Sequence, residues 1–308
     1  MDCGLPAGDC SAPPMQPPAP RARVVVMIGV IAWRPGLSTG RVVAEWRLRG
    51  LDAALVAPPD AGELLRRGDV ALVRLDILPT LDGCEPGLEA CSALTRHGVR
   101  LLNGPAGLLA AHDKLETALA FERAGIPHPA TRHLTDPLEL GELEPPLVLK
   151  PRFGSWGRDV VLCRTRAALV AAAATLPDRQ WFVATGVLAQ EVVPHVTRDL
   201  RILVADGRVV GASARVAAPG EWRTNTSLGG TLEPVDPPDD ALRLAVAAID
   251  ALGIDLAGID LLPGPGGEWI VLEVNGAADF DERYALPGRD VYDDVAAALR
   301  LVGVTAAS

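Results

Sequence analysis

Lysine is nearly absent from this chain, which holds only Lys114 and Lys150 against 27 arginines. Guanidinium is a flat, permanently charged fork, whereas ammonium is a compact point charge on a flexible stem, so the two are not interchangeable. Where arginine serves almost everywhere, a retained lysine marks a place that wants the point charge itself. Long apolar runs are missing too: no stretch reaches the roughly 18 residues that a membrane span needs. Residues 1–22 lack the apolar core of a secretory signal, and their Pro-rich composition reads as a disordered extension, with Met1 and Met27 both open as translation starts. There is no basic excess. The formal net charge of −10 at pH 7 argues against a nucleic-acid or anionic-membrane binder. Five cysteines, Cys3, Cys10, Cys84, Cys91 and Cys163, match no zinc or redox spacing, and their odd number completes no disulfide framework. The expectation is a protein of the reducing cytoplasm without a structural metal. Its oligomeric state is left open, a homo-oligomer included.

What is present is the patterning of a globular enzyme, with 49% hydrophobic and 22% charged residues over 308 positions. Val24 to Ala32 is a continuous apolar run of the kind buried on both faces of a parallel sheet. Helical spacing over Thr39 to Leu51 and Gly87 to His97 alternates with short strands at Leu51 to Val56, Val70 to Val73 and Val99 to Leu102. This predicts an open α/β domain to about residue 104. A helix from Lys114 to Ala124 stops at Gly125, and strands at Pro146 to Lys150 and Asp159 to Cys163 flank a glycine loop before a helix at Arg166 to Ala174. Beyond Trp181 the pattern becomes hairpins: Gly186 to Val193, Leu200 to Val204 and Val209 to Val216. A helix (Asp239 to Leu252), two strands (Leu256 to Leu262, Glu268 to Val274) and a closing helix (Asp290 to Leu301) complete the chain. The fold class is α/β, passing to α+β in the C-terminal part.

Three constellations carry chemistry. In the first, Glu273 and Asn275 sit at i and i+2 on one strand and share a face, and Asp260 reaches them from the neighbouring strand. Two carboxylates and an amide oxygen are hard donors suited to a Mg²⁺ that also bridges phosphates; three solvated strand polars are the plain alternative. The second is Lys150 ahead of Gly154-Ser155-Trp156-Gly157, where glycines let backbone N–H groups face an anion. Gly-Ser turns also join ordinary hairpins, and no GxxxxGK[ST] phosphate loop is present. In the third, Asp199 and Arg201 share a strand face and Arg223, Thr224 and Asn225 precede Gly229-Gly230. Arg201 and Arg223 could hold a phosphate or carboxylate bidentately, or Asp199 and Arg201 could form only a surface ion pair.

From Asn103 to about Leu301 these residues resemble the ATP-grasp ligases, and within them the RimK-like amino-acid ligases. The carriers are HDK (112–114), VLKPRFGSWGRDV (148–160), QEVV (190–193), DLR (199–201), WRTNTSLGG (222–230), AGIDLL (257–262) and LEVN (272–275). RLDILPTLDG (74–83) looks like part of the domain that such ligases place ahead of the grasp domain. The resemblance implies a Rossmann-like pre-ATP-grasp domain over 23–104, a lid subdomain over 105–186 and a C-terminal subdomain over 187–304. It implies that Lys114, Lys150, Gly154, Ser155 and Gly157 meet ATP phosphates. Gln190, Glu191 and Val193 would form the adenine hinge, and Asp199 would line the nucleotide. Arg201, Arg223 and Asn225 would serve the reacting centre, and Asp260, Glu273 and Asn275 would hold Mg²⁺, two ions with Mn²⁺ as a substitute. The partners would be an amino acid and a carboxylate or peptide acceptor.

One departure concerns the acceptor. Relatives follow the metal-binding Asn with a small residue and Pro-Gly, whereas Asn275 here leads into Gly276-Ala277-Ala278-Asp279-Phe280, and Pro287-Gly288 arrives later. The leading expectation is a ligase joining an amino acid, glutamate among the candidates, to a carboxylate or peptide terminus. A dipeptide or natural-product ligase is the alternative within enzymes. A nucleotide-regulated binding protein without turnover is the alternative outside them. A dinucleotide oxidoreductase is disfavoured because the first strand leads into Ala32-Trp33-Arg34-Pro35-Gly36 with no GxGxxG.

Overall fold

A computed structural model describes residue 1 and residues 26–33, 37–75, 86–194 and 197–302. The expected N-terminal extension, Cys3, Cys10 and Cys84, and most of the RLDILPTLDG segment lie outside the described residues. Strands β1 (Ile28–Ile31), β2 (Ala53–Val56), β3 (Val70–Val73) and β4 (Arg100–Leu102) form a parallel sheet in the order β2-β1-β3-β4. Helices α1 (Leu37–Leu48), α2 (Ala61–Leu64) and α3 (Pro86–Arg96) connect them, as parallel neighbours require. Both β1 and β3 are buried along their whole length, which is why their sequences are unbroken apolar runs.

Two helices carry the chain out of this sheet: α4 (Pro105–His112) and α5 (Lys114–Ala124). Asp113 ends the first and caps the second, its carboxylate accepting from the N–H groups of Leu115 at 3.1 Å and Glu116 at 3.4 Å. Gly125 closes α5 in the left-handed conformation, as its sequence signal predicts.

Next comes a small antiparallel sheet of β5 (Thr131–Leu134), β6 (Leu147–Pro151), β7 (Val161–Cys163) and β8 (Val187–Glu191), ordered β5-β8-β6-β7. Helices α6 (Arg166–Thr175) and α7 (Gln180–Thr185) cover one face, and Leu149, Leu169, Phe182 and Val187 share a core there. Among the described residues, this core holds none from the rest of the chain. Trp181 lies in α7, and the first strand beyond it begins at Val187, one residue after the expected Gly186. Strand β8 runs between β5 and β6, so this sheet contains a strand beyond residue 186, where the lid was expected to end. Helices α4 and α5, placed with the lid by the same expectation, instead contribute Leu108, Ala111 and Phe121 to the main core.

The largest sheet is antiparallel: β9 (Arg198–Ala205), β10 (Arg208–Val216), β11 (Thr231–Glu233), β12 (Leu256–Pro263) and β13 (Trp269–Asn275), in the order β11-β10-β9-β12-β13. Helix α8 (Asp239–Leu252) presents Ala241, Ala245, Ala248, Ile249 and Leu252 at helical spacing to one face. Leu200, Ile202 and Val204 of β9 and Ala257, Ile259 and Leu261 of β12 alternate toward that same core. Helix α9 (Val291–Ala298) joins Leu203, Phe280 and Tyr284 in a second core with Trp46 and Leu72 of the N-terminal region. Asn103, buried at the end of β4, ties the regions together: its Nδ2 donates to Leu256 O at 2.8 Å and Gly276 O at 2.7 Å. Its Oδ1 accepts from the N–H groups of Asp255 and Leu256.

Candidate active site

The pleat that sends β9's apolar side chains to α8 sends Asp199 and Arg201 to the opposite face. Hydrogen-bonded register then builds a polar row across four strands, Ser213, Arg201, Asp260 and Glu273 lying side by side, with Arg215 beside Asp199 next to it. A bulge in β13 is part of this design: Asp260 pairs Glu273 while Leu261 pairs Val271, leaving Leu272 as the extra residue. Val271 and Val274 therefore both reach the core while Glu273 between them faces the cleft.

The row is a charge network. Arg201 holds Asp260 bidentately at 2.7 and 2.8 Å. Arg215 spans both buried carboxylates, bonding Asp199 through two nitrogens and Asp260 at 2.7 Å. Thr224 Oγ1 donates to Asp199 at 2.6 Å. Burial pushes the Asp260 carboxyl up, but Arg201 and Arg215 outweigh it and hold the group below the usual carboxylate range. The same carboxylates keep both guanidinium groups above their ordinary value despite burial.

The two lysines close the other side. Lys150, on β6, is buried and donates to Gln190 Oε1 at 2.8 Å, while Gln190 Nε2 donates to Thr131 Oγ1 at 2.9 Å. Burial lowers the Lys150 ammonium to about 8; Glu273 counters that fall and Lys114 adds to it. Lys114, first residue of α5, reaches Glu273 Oε1 at 3.2 Å and the Gly154 carbonyl at 2.5 Å. Burial pushes the Glu273 carboxyl up, yet the lysines and Arg201 bring it below its usual value. Arg152 holds the capping carboxylate of Asp113 at 2.7 and 2.5 Å, and its carbonyl accepts from Lys114 N–H at 3.1 Å, so the loop after β6 is anchored on α5.

Between the lid sheet and the large sheet lies a cleft of about 440 Å³. Lys114, Lys150, Gly154, Ser155 and Gly157 line it, together with Gln190, Glu191 and Val193. Asp199, Asp260, Glu273, Arg223 and Asn225 line it from the large-sheet side, and Pro146, Val148, Leu162, Leu262 and Leu272 supply apolar walls. Ladder pairing on β8 ends at Glu191, so Val192 and Val193 bring backbone without strand partners to its edge. Two expected residues stand outside the lining. Arg201 sits behind Asp260 as its partner, and Asn275, two register pairs beyond Glu273, accepts from the Ala277 N–H at 3.0 Å.

The glycine loop is docked across the cleft mouth. Arg223 Nη1 donates to the Gly157 carbonyl at 2.8 Å, and Glu221 clamps the same guanidinium at 3.1 and 2.8 Å. These bonds hold the Glu221 carboxyl down to about 2. Gly157 has φ +69°, and a Cβ there would sit 3.1 Å from Asn225 Oδ1, so close approach of the loop requires glycine.

Arg215, Glu221 and the Asp113–Arg152 pair were not anticipated from sequence. Arg215 had a signal: Gly211, Ser213 and Arg215 place non-apolar residues on one face of an otherwise apolar strand.

Four cations (Lys114, Lys150, Arg201, Arg215) face three carboxylates (Asp199, Asp260, Glu273) and largely neutralise one another, so a triphosphate here needs further positive charge. Asp260 and Glu273, adjacent across two strands and both facing the cleft, fit Mg²⁺, which is bound through one or two carboxylates plus phosphate oxygens. Among the described residues no group of three or more His, Cys, Asp or Glu forms a metal cage.

Comparison with known proteins gives these features a family. The model of the RimK-like ATP-grasp domain matches residues 111–299, more than half of the chain. A probable alpha-L-glutamate ligase of Parasynechococcus marenigrum (strain WH8102) is 31% identical over 75% of this chain, which spans only 49% of that protein. A probable alpha-L-glutamate ligase 2 of Shewanella sp. (strain W3-18-1) is 29% identical over 86% of this chain and 92% of its own length. Among solved structures, the ATP-grasp ligase PsnB complexed with minimal precursor, Mg and ADP superposes with a TM-score of 0.64 over 90% of this chain and 98% of that one. At 19% identity this likeness shows the fold alone. Among the described residues no helix is long and apolar enough to cross a membrane. The chain therefore belongs to the RimK-like ATP-grasp family, and with it to the ATP-dependent ligases that join a carboxylate to an amine.

Proposed function

We propose that this enzyme activates a substrate carboxylate as an acyl phosphate at the expense of ATP and joins it to an amino acid, releasing ADP and phosphate. The observation that carries the reading is the convergence of Lys114, Lys150, Asp260 and Glu273 on one cleft. Adenine lies between the apolar walls and the backbone of residues 191–193, and the phosphates run toward the two ammonium groups. Asp260 and Glu273, with Asn275 beside them, would hold Mg²⁺, two ions in the full reading, and Mn²⁺ would be a substitute. A bound Mg²⁺ would supply neutralisation of phosphate charge at this place.

The γ-phosphoryl group passes to a carboxylate oxygen, breaking the bond to ADP. The amine then attacks the acyl carbon, phosphate leaves, and the amine proton is lost to solvent. No side chain need act as nucleophile: positioning and fixed charge carry the rate. Arg223 holds the glycine loop over the centre, which keeps water from the acyl phosphate. Asn225 lines the same mouth, and Arg201 and Arg215 keep Asp260 ionised and oriented.

The relatives' names support glutamate as the amino acid, and the precursor in the PsnB complex supports a peptide acceptor as one option. The test is phosphate release screened over amino acids against carboxylate and peptide acceptors, with product masses recorded. Release that needs both substrates, with a product heavier by one amino acid less water, supports the proposal. Nucleotide binding without acceptor-dependent release under every pairing would refute it.

A further inference from the structure

Arg74 is a buried charge that nucleotide handling does not explain. It follows β3 directly, and its side chain is 3% exposed. Its Nε donates to Thr39 Oγ1 and its Nη2 to Ser38 Oγ, both at 3.3 Å, and Nη2 meets Asp279 Oδ1 at 3.2 Å. Asp279 is itself 73% exposed and shares its charge with water. These contacts are long beside the 2.7 and 2.8 Å bonds of Arg201 to Asp260. Burial pushes the Arg74 guanidinium below the ordinary arginine value, and Asp279 offsets only part of the fall. Arg215, equally enclosed, and Arg201, somewhat less so, are held above theirs.

Its position is as telling as its contacts. In the order β2-β1-β3-β4 the chain leaves β1 toward β2 on one side and returns to β3 on the other. The carboxyl ends of β1 and β3 therefore flank the switch point, where open α/β sheets form a ligand crevice. Arg74 stands just past the end of β3, and Ser38 and Thr39 belong to the first turn of α1, which follows β1. No acidic side chain lies in that turn to neutralise the helix N-terminus. The crevice also adjoins the cleft. A Cβ on Gly258 would meet Ala278 Cβ at 2.9 Å and Arg201 Cδ at 3.4 Å, so the loop bearing Asp279 packs beside the Arg201–Asp260 pair.

We propose that Arg74, with Ser38 and Thr39, forms the subsite that binds a carboxylate of the amino-acid substrate, and that Asp279 is the resident carboxylate which substrate displaces. The inference rests on the ligase reading above. A guanidinium gives a planar carboxylate two parallel N–H bonds, which Asp279, held through one oxygen, does not use. The loop from Gly276 to Phe280, where this chain departs from the family pattern, then helps set which acid is accepted.

The experiment is calorimetric titration of the full chain in Mg²⁺ and ADP with L-glutamate, L-aspartate and L-alanine, alongside L-glutamine and L-isoglutamine as uncharged matches. Three proteins are compared: wild type, Arg74→Met and Asp279→Asn. Arg74→Met should weaken binding of the preferred acid by roughly 10–100-fold and erase the preference for acid over amide. Asp279→Asn, an exposed change that spares the core, should tighten binding about threefold by removing a like charge. The opposite signs separate a subsite from a merely structural arginine. Unchanged binding in Arg74→Met, no tightening in Asp279→Asn, or no carboxylate binding by wild type overturns the subsite. Arg74-dependent binding in a wild-type protein that releases no phosphate with any acceptor overturns the ligase reading and leaves the subsite standing.

Discussion

Replacing Lys150 by Met should make the protein more stable while disabling it. The ammonium is buried on β6 with one neutral partner, Gln190, and burial brings it from the ordinary lysine value of 10.5 to about 8. At 1.36 kcal/mol per pH unit, holding it charged at pH 7 costs about 3 kcal/mol relative to the unfolded chain. Losing the Gln190 bond returns roughly 1 kcal/mol of that gain, so the variant should be stabilised by about 2 kcal/mol. At this chain length that corresponds to a rise in Tm of roughly 3 °C. The sign with pH follows from the lowered value. Between about 8 and 10.5 the unfolded wild type holds the proton and the folded protein does not, so wild-type stability rises relative to Lys150→Met across that window. Thermal and urea unfolding of both proteins at pH 7 and pH 10 measure this directly. A variant no more stable than wild type at pH 7, or a difference that stays constant to pH 10, would refute the reasoning. ATP binding should fall roughly 10-fold or more in the same variant, from loss of a charged phosphate contact.

Other consequences are as specific. Glu273→Gln should raise the Mg²⁺ concentration needed for half-maximal phosphate release by about 10-fold or more while far-ultraviolet circular dichroism stays unchanged; an unaltered Mg²⁺ dependence removes Glu273 from the metal site. Arg215→Met leaves Asp199 without its bidentate partner and Asp260 with Arg201 alone, and should cost about 3–5 kcal/mol in urea unfolding. A loss below about 1 kcal/mol would mean that the network tolerates the vacancy. Asn103→Ala leaves four buried backbone bonds unmade at the junction of the N-terminal and large sheets, so a loss of roughly 3 kcal/mol or more is expected in the same assay.

The legible parts of the chain were those where composition contrasts with its surroundings. The apolar runs of β1 and β3 stand out because both faces are covered, and α5 because Asp113 and Gly125 mark its ends. Lys114 and Lys150 stand out because lysine is otherwise unused. Arg215 did not, since one more arginine among 27 carries little information until its register opposite Asp199 is known. Edge strand β5 reads Thr-Arg-His-Leu and has too little apolar content to declare itself. The extent of the lid depends on pairing between β6 and β8, some forty residues apart, and no local pattern encodes such a partner. The β13 bulge was hidden for the same reason: Leu272 looks like any strand residue until Asp260 and Leu261 fix which neighbours it skips.

Among the described residues, the lobe of β5 to β8 shares its oily interior with no other part of the chain, so its attachment does not depend on a common core. Polar ties join it to the rest of the chain, among them Arg223 to Gly157, Lys114 to Gly154, and Arg152 to Asp113. Charge attraction of this kind is screened by salt where it is exposed to solvent, whereas hydrophobic adhesion is not. The Lys114 ammonium that fastens this lobe is also the one proposed above to meet a phosphate, so a single charge would serve both the tie and the nucleotide.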